Sequence, residues 1–378
     1  MYRTTYIEIN TENLKHNVQT LMHDYPNYYY YIGVVKGNAY GHGIPAIQAL
    51  IDAGINYLAV STLEEALAIR QANILTPILL LQPIHIDDIK TASENNITVT
   101  LSDYEYFKKL VSVTFAHEIK VHLKINSGFN RLGISNKEQV KEIFDTLKQN
   151  PIFKLEGIYT HFATSGRHGT HFGDQLRAFR DITSLIDLKQ IPIVHIDRSL
   201  TLFSHPKIDF CTGARIGIGL YGFNSKPAEQ HGFKAWIRGM MKPKINLFPF
   251  PSLQSALSVY SEIIELQHVK KGGFVGYAAS FQAKNDCVVA VVSLGYADGF
   301  FRSNKSGHVA IHGKRYQIIA VDMGMISVLV DDTVHVGDKV ELIGETISAK
   351  EVAVRNNTTV YEILCSFKQT VPRVLIKK

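Results

Sequence analysis

Cysteine is scarce in this sequence: 378 residues hold three, Cys211, Cys287 and Cys365, far apart and odd in number. Such spacing gives no disulfide framework and no zinc or redox pair, so the thiols read as buried groups in a reducing compartment. Long apolar runs are missing too. None approaches the about 18 residues a membrane-crossing helix needs, and Met1 to Asn10 lack the basic-then-apolar order of a secretory signal. The expectation is a cytoplasmic protein with no membrane partner. No dense block of one charge appears either; 40 Lys+Arg against 34 Asp+Glu leave +6. That makes no case for a nucleic-acid partner, although it does not oppose an anionic ligand. Internal repeats and low-complexity tracts are absent.

What is present is a soluble composition, 46% apolar and 20% charged, in a chain comfortable for two domains. Short β-rich runs fall at Tyr28–Val35, Tyr57–Val60, Pro77–Leu81, Ile97–Leu101, Lys120–Ile125, Leu155–Thr160, Ile193–Ile196 and Ile216–Tyr221, with helix-length segments between them. Eight runs spaced as βα units predict an α/β fold, an eight-stranded TIM (β/α)8 barrel. Helix signals support this. Thr62 and Glu65 form a capping-box pattern before Ala66, Ala68 and Ile69, and Leu14, Val18 and Leu21 repeat at i, i+4 and i+7.

Texture changes after Tyr221. Phe223 to Leu253, with Pro227, Pro243, Pro249 and Pro251, reads as linker or irregular surface. Beyond Gln254, short alternating strands at Ser258–Gln267, Val288–Leu294, His308–His312, Ile318–Val321, Ser327–Val330 and Lys339–Ile343 predict a C-terminal, mostly-β domain. The expected division is 11–232 for the barrel and 233–378 for the β domain.

Lys36 ends an apolar run and opens the glycine-rich stretch Gly37-Asn38-Ala39-Tyr40-Gly41-His42-Gly43. An amine at the carboxyl end of a buried strand loses hydration and has its pKa lowered, which suits a Schiff-base lysine. From spacing alone, a rim lysine with its head in water fits equally well. Lys36 to Gly43 resembles the pyridoxal-phosphate lysine motif of the alanine racemase family, K-A-N-A-Y-G-H-G, with Gly37 for alanine. Matches continue along nearly the whole chain.

That resemblance implies pyridoxal 5'-phosphate as cofactor and a homodimer with shared active sites. It also implies D-alanine supply for a bacterial cell wall, and an N-terminal strand, residues 1–10, that joins the β domain. Lys36 and Tyr277, the latter in Val275-Gly276-Tyr277-Ala278, become the two catalytic bases, Tyr277 reaching the partner's barrel. The run Lys124 to Gly133 resembles the motif in which Lys124 is carbamylated and holds Arg131, which faces the cofactor and the substrate carboxylate. His161 is expected against the pyridine ring. Ser199, Gly217, Ile218, Tyr40 and Tyr361 are expected around the phosphate, and Arg215 beside the pyridine nitrogen. Met323 is expected at the substrate, with Tyr296 and Arg302 along its access corridor. His168 and His171 lack neighbouring ligands at metal spacing, so no metal is expected.

Departures from the family pattern lie near the site: Asn126 for aspartate, Arg198 for asparagine, Gly166 and Gly324 for aspartates, and Val360 for asparagine. The expected activity is interconversion of L- and D-alanine by two bases. A serine or broad-specificity racemase of the same fold is the alternative, and a non-catalytic pyridoxal-phosphate homeostasis protein is a rival from another class. A decarboxylase of this layout is opposed by Arg215, because such enzymes put an acid at the ring nitrogen.

Overall fold

Aliphatic runs in the first half of the chain pair side by side as parallel strands. The computed structural model describes residues 2–164, 170–224 and 250–377. Contacts divide the chain into two units. One holds Leu14–Ala39 and Ile47–Gln254; the other holds Met1–Asn13, Tyr40–Ala46 and Ser255–Lys378.

In the first unit the sheet runs Ile193–His195, Phe153–Tyr159, Ile119–Lys124, Ile97–Leu101, Ile78–Leu80, Tyr57–Val60, Tyr30–Val34, Gly213–Ile216, Asp197–Arg198. Its two ends are consecutive in the chain, separated only by Ile196, so the sheet closes into an eight-position barrel. Tyr57–Val60, Ile78–Leu80 and Ile97–Leu101 are buried along their whole length, because helices cover one face and the lumen the other. The helix Thr11–Asp24 buries Leu14, Val18 and Leu21 completely. The Thr62 hydroxyl accepts the Glu65 amide at 3.4 Å, starting the helix Leu63–Gln71 with the predicted capping box.

One strand departs from expectation. The last barrel strand is Gly213–Ile216, and Ile218–Tyr221 is a 3-10 turn ended by Gly222 at φ 94°. The turn is fully buried, so its apolar run imitates a strand, while the charge of Arg215 disguises the true one.

The second unit is an eight-stranded sheet in the order Cys287–Val292, Ile326–Val330, Lys314–Val321, His308–Ile311, Lys339–Ile343, Leu257–Val269, Tyr6–Asn10, Arg373–Ile376. The long strand Leu257–Val269 also pairs with Cys287–Val292, curling the sheet on itself. Tyr6–Asn10 lies antiparallel to Leu257–Val269 and parallel to Arg373–Ile376. A two-stranded ribbon, Phe274–Val275 with Phe281–Gln282, carries the loop of Tyr277. Most of the predicted linker, together with Gly166 and His168, lies outside the described residues.

Candidate active site

A polar chain runs through the buried lumen of the barrel. Arg215 donates to His195 Nδ1 at 2.8 Å and to the carbonyl of Thr160 at 2.6 Å. Arginine only donates, so His195 must accept on Nδ1 and carry its proton on Nε2. Nε2 then donates to His122 Nδ1 at 2.9 Å, and the remaining proton of His122 faces Glu156, with Nε2 3.5 Å from the carboxylate. Glu156 also accepts from Tyr57 at 2.7 Å and Thr98 at 3.1 Å.

Two local features make room for this chain. The pairing of Phe153–Tyr159 with Ile119–Lys124 slips between Leu155 and Gly157, leaving Glu156 as an extra residue in a bulge that re-aims its side chain. Gly157 has no side chain, and a Cβ there would lie 2.5 Å from His122 Cε1. Burial pushes both histidines down, so both are neutral. Burial pushes Glu156 up, but the His122 and Tyr57 hydrogen bonds win and hold it at about 2.

Cations crowd the carboxyl ends of the strands. Burial, then Arg215, Arg131 and Lys36, lower Lys124 to about 8. Its ammonium lies 5.3 Å from the Tyr159 ring centre. Arg215 is buried and lowered to about 10, chiefly by desolvation, and so stays a cation. Burial and the charges of Arg215, Arg198, Arg131 and Lys124 drive His161 down to about 2. Arg131 stacks on Phe129 at 4.4 Å, and Phe129 meets His161 edge-on at 5.3 Å. Asn126 accepts the amides of Gly128 and Asn130, so it holds the Arg131 loop without the family's aspartate.

The Lys36 turn is an unusual piece of backbone. Gly37, Asn38, Ala39 and Tyr40 all have φ between 51° and 64°, a left-handed turn that costs energy at each non-glycine position. Glu65 helps hold it, accepting the Gly37 amide at 2.6 Å and the Ser61 amide at 2.8 Å. Across the barrel mouth, the buried Ser199 hydroxyl accepts the Gly217 amide at 3.0 Å, and Ile218 follows in the buried turn.

The remaining predicted residues belong to the β unit. Tyr40 is buried with its ring 5.9 Å from Tyr361, and burial pushes its phenol up. Gly41, at φ 80°, permits this approach: a Cβ there would sit 1.9 Å from the Leu364 carbonyl. Tyr277 and Arg302 line one cavity of about 360 Å³ with Ser280, Lys305 and Asp322. Tyr296 is bound through its amide to the Asp322 carbonyl at 3.0 Å, and Met323 is exposed beside it in sequence. The predicted set therefore assembles as two groups, one in each unit.

Clustered cations repel one another unless an anion sits among them. Guanidiniums, a hydroxyl and backbone amides are donors for phosphate, carboxylate or phenolate oxygens, and Lys36 adds an amine. The donor set fits a phosphorylated aldehyde cofactor.

Residues 9–225 match the alanine racemase N-terminal domain, and residues 256–375 match the C-terminal domain. The chain belongs to the alanine racemase family. It is 34% identical to an alanine racemase of Anoxybacillus flavithermus, over 100% of this chain and 96% of that protein. Alanine racemase 1 of Bacillus subtilis is 32% identical, over 100% and 94%. The crystal structure of the Bacillus anthracis alanine racemase with bound L-Ala-P gives a TM-score of 0.87 at 32% identity, over 100% of this chain and 96% of that one.

Within this family pattern, sequence reading missed the Glu156–His122–His195 chain. His122 and Lys124 are two residues apart on the strand Ile119–Lys124 and so share a face, a usable signal for the histidine. Nothing local marks Glu156, because its aim depends on the bulge.

Proposed function

We propose that this protein is a pyridoxal-phosphate-dependent racemase that interconverts L- and D-alanine as a homodimer with shared active sites. The observation that carries the reading is the meeting of Lys36, Lys124, Arg131 and Arg215 at one barrel mouth. Lys36, Ser199, Gly217, Ile218, Arg215, His161, Arg131, Tyr40 and Tyr361 would hold the cofactor. When bound, pyridoxal phosphate withdraws electrons and acidifies the substrate's α-carbon.

Arg215 remains a cation with no proton to yield usefully, so it would hold a bound cofactor's ring nitrogen only as an unprotonated acceptor. Such an arrangement would restrain delocalisation and favour return of the proton to the same carbon. Arg131 and Met323 bind the substrate, the guanidinium taking the carboxylate. Lys36 moves the proton on one face and Tyr277 of the partner subunit on the other. Lys124, lowered to about 8, carries an appreciable neutral fraction near neutral pH. Its amine nitrogen adds to carbon dioxide and loses a proton, giving a carbamate anion to pair with Arg131. Tyr296 and Arg302 line the access corridor.

Cys211, Cys287 and Cys365 form no disulfide, and only Cys211 is buried as expected, Cys287 being half-buried and Cys365 exposed. Reduced thiols support a cytoplasmic site, where D-alanine would serve cell-wall synthesis. Among the described residues no helix is long and apolar enough to cross a membrane. A Cβ at Gly324 would meet nothing within 4 Å, which favours testing larger side chains, the broad-specificity alternative. The decisive experiment is a chiral assay of purified protein on L-alanine, L-serine and larger amino acids. Lys36→Ala should lose both the visible absorbance of bound cofactor and turnover; retention of either rejects the assignment.

A further inference from the structure

Arg198 stands where the family usually has asparagine, and its placement follows from a break in one barrel strand. In the parallel pairing of Asp197–Arg198 with Gly213–Ile216, Arg198 lies opposite Arg215, and Asp197 opposite Ala214. Paired residues on neighbouring strands share a face. Arg198 therefore shares the lumen-facing side of Arg215, which reaches His195 and Thr160. His195 faces the lumen as well. Two-residue alternation would have turned residue 197 inward and 198 outward, and the interruption at Ile196 reverses that. Asp197 takes the other side, where its carboxylate accepts the Tyr28 hydroxyl at 2.8 Å.

The backbone beneath Arg198 is pinned. Its amide donates to the Thr201 hydroxyl at 2.8 Å, and that hydroxyl approaches the Arg198 carbonyl at 2.9 Å. The next residue is Ser199, whose hydroxyl meets the Gly217 amide. A hydroxyl and backbone amides carry no full charge to balance a phosphate near two negative charges, and a guanidinium fork matches both its charge and its shape.

Resting on the cofactor assignment above, we propose that Arg198, in place of the family's usual asparagine, is a phosphate-binding residue that grips the end of the cofactor held by Ser199 and Gly217. The charge of Arg198 is also felt by His161, which places the guanidinium within electrostatic reach of the same mouth.

The test compares full-length wild type, Arg198→Asn and Arg198→Lys, each freed of cofactor, by absorbance titration with pyridoxal phosphate and with pyridoxal. Arg198→Asn is expected to weaken pyridoxal-phosphate binding about 10- to 100-fold, with pyridoxal binding unchanged. Arg198→Lys should fall between, because it keeps charge and loses the fork. Unchanged phosphate-ester affinity in both variants overturns the proposal. So does equal loss of both ligands, which marks a structural role, or a change confined to the substrate KM. Wild type that binds neither ligand overturns the cofactor assignment itself.

Discussion

In the barrel unit Arg215 and Lys124 are 3% and 5% exposed, whereas in the β unit Tyr277 and Met323 are 78% and 62% exposed. Barrel groups carry their environment with them: neighbouring cations, histidine rings and carbonyls set their charge states. The phenol and thioether of the β unit are exposed, as are the rings of Phe274 and Phe301. Where such groups form one patch, they ordinarily mark a contact face. The buried barrel groups suit binding, and the exposed β-unit groups suit the role proposed for them against a second chain. This division agrees with the proposed dimer, in which binding and one of the two proton transfers are separable.

The sharpest way to break that separation is Tyr277→Phe. Racemisation should drop about a hundredfold to ten-thousandfold while cofactor absorbance survives. Loss of the absorbance as well would mean the two functions are not divided between units. Arg215→Ala comes next. It strands the Thr160 carbonyl and His195 in the lumen and should lower stability by about 3 kcal/mol, read as a shift in the urea midpoint.

A smaller effect separates the units by pH. His161 is held at about 2 against an ordinary 6.5. The unfolded chain therefore binds a proton below pH 6.5 that the native state refuses, so stability falls as pH drops through that window. His161→Gln should flatten the loss by about 1–2 kcal/mol between pH 6.5 and 5 in the cofactor-free protein. An unchanged slope would show that His122 and His195, lowered in the same direction, account for it. The mildest case is Tyr361→Phe. Removing one neutral hydroxyl should weaken cofactor binding about threefold by titration, with the fold intact.

Much of this protein was legible from short-range signals. The lysine turn, the Thr62 cap, the Leu14–Val18–Leu21 stripe and the strand cores each depend on residues a few positions apart. The eighth strand was harder to place, because a buried 3-10 turn and a buried strand both read as apolar. Glu156 and the inward turn of Arg198 were illegible, since each depends on a shift in pairing with another strand.

The amino-acid order by itself determined the alternation of elements, the change of texture after Tyr221 and the family motifs around Lys36, Lys124 and Arg215, because propensity and spacing act locally. Tertiary structure alone decided how the barrel closes at Ile196, which histidine nitrogen carries a proton, and why Lys124 and His161 lose theirs so readily. Those outcomes depend on burial and on charges brought together from distant strands, and no window of sequence contains that distance.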